Sequence, residues 1–100
     1  MKRPSSAARE AAEILAIQAL SFIAEEPERL NGLLGATGLT LNRLRESANQ
    51  PDFLAGVLEH MLADESLLVA FADSVGIDPA EIGRARATLG RGANWERDLP

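Results

Sequence analysis

Apolar residues recur along the chain at the three- and four-residue spacing of amphipathic helices. The clearest example lies in 51–62, where Leu54, Val57, Leu58 and Met61 fall on one side of a helix. Six segments of this kind follow one another, and no segment has the pattern of a strand. The pattern therefore predicts an all-α fold, a compact single-domain bundle of five to six short helices.

Capping residues, prolines and glycines mark where these helices begin and end. The prolines suited to a first helical turn are Pro27, Pro51 and Pro79. The candidate N-caps are Ser5 or Ser6, Thr40, Asp64 and Asp78. Glycines within 35–38 and at 76 end two helices, and Gly90 begins a glycine-containing end segment. We expect a flexible N-terminus at 1–7, a helical domain at 8–89 and a C-terminal tail at 90–100. Trp95 in this tail either docks onto the helical domain, stays free or anchors a partner.

The first helix is apolar around most of its circumference. Ile14, Ile17 and Leu20 fall outside its main stripe of alanines, leucine, phenylalanine and isoleucine. A helix with so little polar surface is either the central helix of a bundle or faces a partner. Leucines in excess of what short helices can bury add to this expectation; they are Leu30, Leu33, Leu41 and Leu67. A monomer that binds another protein and a homodimer both fit this pattern.

The two halves of the chain resemble one another. Each contains a helix, an acidic turn, a helix, a glycine turn and a helix, with a period of about 38 to 39 residues. Either a duplicated three-helix unit or similar loop chemistry explains this. The spacing of Ala72, Gly76, Ile77 and Ile82 is that of a helix-turn-helix corner, and the first half repeats it with Leu34 in place of the small residue.

Charge separates a DNA-binding corner from a purely structural one. The candidate DNA contacts are Thr40, Asn42, Arg43, Arg45, Arg84 and Arg86. Against them, the segment between Glu46 and Gly83 has no Lys or Arg and contains seven acidic residues. The whole chain carries a formal net charge of -5. DNA phosphates would repel this half of the protein, so a protein partner is favoured over nucleic acid.

Composition excludes two classes of protein and weakens several kinds of chemistry. The chain is 46% hydrophobic, which excludes intrinsic disorder, and it has no cysteine, which excludes a disulfide scaffold. His60, the one histidine, lacks the two or three further ligands that a transition metal needs. The serines are explained as caps or surface residues. We therefore expect no enzymatic activity, no catalytic residue, no cofactor and no metal site.

The chain resembles a known family in its helical segments. The residues that carry the resemblance are 16–30, then Gly38-Leu39, 51–58 and Leu62-Ala63-Asp64-Glu65. Over roughly 8–89 they are similar to a small bacterial family, the domain-of-unknown-function family numbered 3572. The resemblance implies a compact, all-helical, single-domain cytoplasmic protein, and it implies no activity or functional residue.

These features together favour a non-enzymatic protein–protein interaction module. Its candidate partner surface consists of Glu59, Asp64, Glu65 and Asp73, and a basic protein would complement that surface. The alternative is a helix-turn-helix-like DNA-binding or transcription-associated protein. No apolar stretch approaches the roughly 20 residues that cross a bilayer, so we expect a cytoplasmic protein with no membrane contact.

Overall fold

A computed structural model describes the backbone of residues 6–97 and the side chains of residues 7–89. Over that range the chain forms helices and no strand, which confirms the all-α prediction. The six helices are α1 Ser6–Ala24, α2 Pro27–Thr37, α3 Leu41–Ser47, α4 Pro51–Leu62, α5 Glu65–Val75 and α6 Pro79–Arg97. The radius of gyration is 13.4 Å, close to the value of about 13 Å for a globular domain of this length.

Most helix boundaries follow the local signals in the sequence. Pro27 and Pro51 each occupy the first turn of a helix. The side chain of Thr40 accepts a hydrogen bond from the backbone N–H of Arg43 at 3.3 Å, and the side chain of Asp64 accepts one from Leu67 at 3.2 Å. Each bond satisfies a backbone donor that the first turn of a helix leaves without a helical partner.

The two glycine turns have the same local geometry. Gly38 and Gly76 both have φ of 73°, the left-handed conformation that favours glycine. The backbone N–H of Gly76 donates to the carbonyl of Ala72 at 2.8 Å, and that of Gly38 donates to Leu34 in the same way. The predicted glycine turns therefore exist at both places, although Leu34 stands where the second turn has an alanine.

The two three-helix units nevertheless pack differently. α1, α4 and α6 pack extensively against one another and form the centre of the fold. In the second unit the third helix, α6, is part of this centre, whereas in the first unit the third helix, α3, lies at the periphery and buries only Leu44. Similar turns thus lead to dissimilar packing.

The core contains only hydrophobic side chains within the described residues. Small residues of α1 let the central helices approach, since Ala12, Ala16 and Ala19 are all buried. The largest fully buried side chains are Phe71, Ile23, Leu33, Leu54, Leu58, Met61, Ile82, Leu89 and Val57. Close packing of these apolar groups is the main source of stability in a chain without disulfides.

The prediction of surplus leucines is wrong for three of the four. Leu33 and Leu67 are buried and Leu30 is half-buried, because α2 packs on α1 and α5 packs on α4. Leu41 on the peripheral α3 is exposed by 43%. Two isoleucines of α1 are exposed as well, Ile14 by 56% and Ile17 by 42%.

The helical backbone is described on both sides of 8–89, and the division into a flexible N-terminus, a domain and a tail stays a prediction. α1 begins at Ser6, although a flexible segment was expected to reach residue 7. The backbone of α6 continues to Arg97, past Gly90 and Gly92, where a tail was predicted. Glycine inside a helix costs only about 1 kcal/mol relative to alanine, and no proline occurs between Pro79 and Pro100 to stop the helix. The side chain of Trp95 lies outside the described residues, so its docking stays a prediction.

Candidate interaction surfaces

The acidic half of the chain lies on α4, α5 and the start of α6, and all its carboxylates face solvent. These exposed residues are Asp52, Glu59, Asp64, Glu65, Asp73, Asp78 and Glu81. Since no Lys or Arg occurs between Glu46 and Gly83, any neutralising cation must come from another segment. The four residues of the predicted partner surface belong to this set.

Several of these carboxylates have a structural role that accounts for them. Asp64 caps α5, and Asp78 accepts a hydrogen bond from the backbone N–H of Ala80 at 2.9 Å. Glu59 forms an ion pair with Arg86, in which Oε2 and Nη2 are 3.1 Å apart. Glu59 and Asp64 therefore contribute to the fold as well as to the acidic surface.

Glu65 and Asp73 differ in their relation to the dipole of α5. Glu65 is the first residue of the helix, where a negative charge is favourable, because the unpaired N–H groups there are partially positive. Asp73 lies in the last turn of the same helix, where the unpaired carbonyls are partially negative and no basic residue is present. Among the described residues, no cation and no hydrogen-bond donor contacts the Asp73 carboxylate. The charge of Asp73 therefore lowers the stability of α5, and no contact among the described residues offsets that cost.

One face of α5 combines these two acids with an exposed apolar side chain. Glu65, Val69 and Asp73 follow one another at four-residue spacing, so they line one side of the helix over about 12 Å. Val69 is exposed by 43%. We call these three residues the acidic stripe of α5. Sequence reasoning found its two acids and missed Val69, whose exposure depends on how α5 is turned against α4.

Aromatic contacts hold α5 in this orientation. The rings of Phe22 and Phe71 lie with their centroids 5.5 Å apart and their planes at 58°. The guanidinium of Arg29 sits over the Phe22 ring, 4.4 Å from its centroid, as a cation–π contact. These three residues join α1, α2 and α5. Because these contacts join different helices, and Phe22 and Phe71 are 49 positions apart, the hydrophobic periodicity did not reveal them.

The predicted DNA contacts lie at two separate places. Thr40, Asn42, Arg43 and Arg45 are all exposed at or along α3, although the Thr40 hydroxyl also caps that helix. Arg84 is exposed on α6, and Arg86 is half-buried in its ion pair with Glu59. At the second corner the acids Asp78 and Glu81 remain exposed beside these arginines. The first corner thus has the more favourable charge for DNA.

The remaining chemistry of the described residues is sparse. His60 is half-buried near the end of α4. Within the described part of the chain, no three His, Cys, Asp or Glu side chains are grouped so that they could hold a metal ion. None of the helices in that part is both long enough and apolar enough to cross a membrane.

Comparison with known proteins identifies the family of the chain. The family model described as "Protein of unknown function (DUF3572)" matches residues 9–92, from early in α1 to near the end of α6. No curated protein and no solved structure matches the chain. The family match covers all six helices and confirms the family that the helical segments resemble. The chain belongs to the DUF3572 family of proteins of unknown function.

Proposed function

We propose that this protein acts in the cytoplasm as a non-enzymatic interaction module that binds a basic protein through the acidic stripe of α5. The observation that supports this most strongly is the position of the Asp73 carboxylate. Its carboxylate is exposed, has no cation beside it among the side chains that the structure describes, and lies at the helix end where a negative charge is unfavourable. A cationic partner would supply the missing counter-charge.

The composition of the stripe defines the chemistry of the partner. Lys or Arg side chains at two points about 12 Å apart would meet Glu65 and Asp73, and a small apolar group between them would cover Val69. Exposed charges of this kind accelerate association and give modest affinity that falls as salt screens them. Burial of Val69 adds a contribution that salt does not weaken.

The test is quantitative capture from a nuclease-treated extract of the native host, with mass spectrometry of the recovered proteins. The test variant is Glu65→Gln/Asp73→Asn. Its matched control is Glu46→Gln/Glu81→Gln, which changes the net charge from -5 to -3 equally but alters carboxylates outside the stripe. Nuclease removes proteins that nucleic acid alone would bridge.

We expect a basic protein that the wild type and the control variant capture and the stripe variant loses. Its recovery should also fall between low and physiological salt, since the Debye length shortens to about 8 Å. A partner that both variants capture equally would place the binding site elsewhere. Recovery of no specific protein at low salt would contradict the proposed function.

Exposed basic residues on α3 support a second candidate, binding of DNA at the first glycine corner. Arg43 and Arg45 project from a short helix that follows a left-handed glycine, Gly38, as the second helix of a helix-turn-helix does. A mobility-shift assay with mixed genomic fragments at low salt tests this candidate. Binding that Arg43→Gln/Arg45→Gln abolishes and Arg84→Gln retains would support it, whereas no shift at tens of micromolar protein would end it.

A further inference from the structure

α1 has an exposed apolar surface on the side opposite its buried alanines. Ile14 and Ile17 form its centre and are exposed by 56% and 42%. The same face carries the exposed polar residues Glu10 and Gln18. One turn or more to either side of the isoleucines, its small exposed residues are Ala7, Ala11, Ser21 and Ala24. We call the two isoleucines and these four small residues the α1 outer face.

No local requirement of the helix explains the two isoleucines. The solvent face of a surface helix is normally polar, and β-branched residues have lower helix propensity than Ala, Glu, Lys or Gln. Ile14 and Ile17 are three residues apart, so their side chains adjoin and form one apolar patch. Neither belongs to the core cluster of buried and partly buried residues.

The shape of the face suits another helix. It extends over about 26 Å along the helix and is about two side chains wide. Small residues at both ends allow a second backbone to approach closely while the isoleucines fit between its side chains. A helix packed along α1 would bury the α1 outer face along its whole length, whereas a flat surface would contact only the two isoleucines.

Charges at the ends of the face determine what kind of helix fits. Glu10 lies beside the patch on its N-terminal side, and Glu25 lies on the same side of the helix just after its last residue. Both carboxylates are exposed. Arg29, a nearby cation, is held over the Phe22 ring. A complementary helix therefore has a narrow apolar seam with Lys or Arg toward both ends.

The same charges disfavour a second copy of this chain. In an antiparallel pair with Ile14 facing Ile17 of the other copy, Glu10 would lie within one turn of the other copy's Glu25. A parallel pair would place each glutamate beside its own counterpart. Either arrangement brings like charges together, in a protein that already has a net charge of -5.

We propose that the α1 outer face is a docking surface for a basic amphipathic helix of another protein. This surface shares no residue with the acidic stripe of α5, so the two proposals can fail separately. The probe for the test is a synthetic 18-residue helical peptide with leucines along one face and lysines toward both ends. A peptide with glutamates in place of the lysines and a scrambled peptide with the same lysines serve as controls.

The measurement is a titration of the full-length, ¹⁵N-labelled protein followed by amide chemical shifts. We expect the basic helical peptide to shift α1 amides around Ile14 and Ile17, and the glutamate and scrambled peptides to leave them unchanged. Ile14→Ala and Ile17→Ala should each weaken binding about fivefold, since each removes apolar surface that the peptide buries. Leu41→Ala, which truncates an exposed side chain on α3, should leave affinity unchanged.

Three results would overturn the proposal. The first is that no α1 amide shifts at millimolar peptide. The second is that the scrambled peptide causes the same shifts, because charge alone would then explain them. The third is that α1 amides shift with protein concentration in the absence of peptide, which would identify a second copy as the occupant. The variants Glu65→Gln and Asp73→Asn should still bind the peptide. A failure of the proposed α5 interaction would therefore not change the result expected for the α1 outer face.

Discussion

Neutralising Asp73 should stabilise the protein, while neutralising Glu65 on the same helix should destabilise it. The substitutions are Asp73→Asn and Glu65→Gln. Each removes one negative charge from an exposed position of α5 and keeps the shape and helix propensity of the side chain almost unchanged. Their common effect on the net charge cancels in the comparison, so the difference between them reports the helix dipole.

The magnitude follows from the position of each charge. The ends of a helix carry about half an elementary charge, and each carboxylate lies within the terminal turn, at about 6 Å from that end. With an effective dielectric constant between about 40 and 80, Coulomb's law gives about 0.3 to 0.7 kcal/mol for each residue, with opposite signs. The two variants should therefore differ by about 1 kcal/mol in free energy of unfolding. For a domain of this size that corresponds to a difference of about 4 to 8 °C in Tm.

Thermal unfolding followed by circular dichroism at low ionic strength measures this difference. We expect Asp73→Asn to melt above the wild type and Glu65→Gln to melt below it. The gap should shrink at 1 M salt, where the Debye length is about 3 Å. If Asp73→Asn melts below the wild type, the carboxylate has a stabilising role in the fold, and the reasoning that reserves it for a partner is refuted.

Three further predictions test the fold itself. Gly38→Ala and Gly76→Ala should each lower the free energy of unfolding by about 1 to 2 kcal/mol in chemical denaturation. The reason is that φ of 73° strains any residue with a Cβ, even though no atom lies within 4 Å of a Cβ placed at either glycine. An unchanged denaturation midpoint would contradict the left-handed geometry. Phe71→Ala should cost about 3 to 5 kcal/mol, since the ring is fully buried and contacts Phe22, and a thermal melt shifted by only a degree or two would place Phe71 outside the core. A double-mutant cycle on Glu59 and Arg86 should give a coupling of about 0.2 to 1 kcal/mol, because the side chains are 64% and 39% exposed, and a coupling well above 1 kcal/mol would show a more buried pair.

Local signals in the sequence were sufficient to place the helices. Thr40 and Asp64 cap helices through hydrogen bonds to backbone groups three residues away, and Gly76 ends a helix through its own φ angle. Such signals act within a few residues, so they can be read without knowing the tertiary structure. The end of α6 has no such clear signal, because two glycines only weaken a helix and a small balance of free energies decides whether it continues.

Features that depend on packing between helices were beyond prediction. Leu33 and Leu67 are buried because of the neighbours that α2 and α5 find, which periodicity alone does not specify. The ion pair of Glu59 with Arg86 joins residues 27 positions apart and gives no local signal. For the same reason the acids of the α5 stripe were predicted but the exposure of Val69 between them was not.

The most direct test of the proposed function is site-specific photo-crosslinking in the native host, with a benzophenone side chain at position 69. That position lies between Glu65 and Asp73, at the centre of the acidic stripe. A matched protein carries the same group at Asn31, an exposed position on α2. We predict that the group at position 69 cross-links a basic protein, that Asp73→Lys abolishes this product, and that the group at position 31 does not form it. The same products from both positions, or none from position 69, would contradict binding through this face of α5.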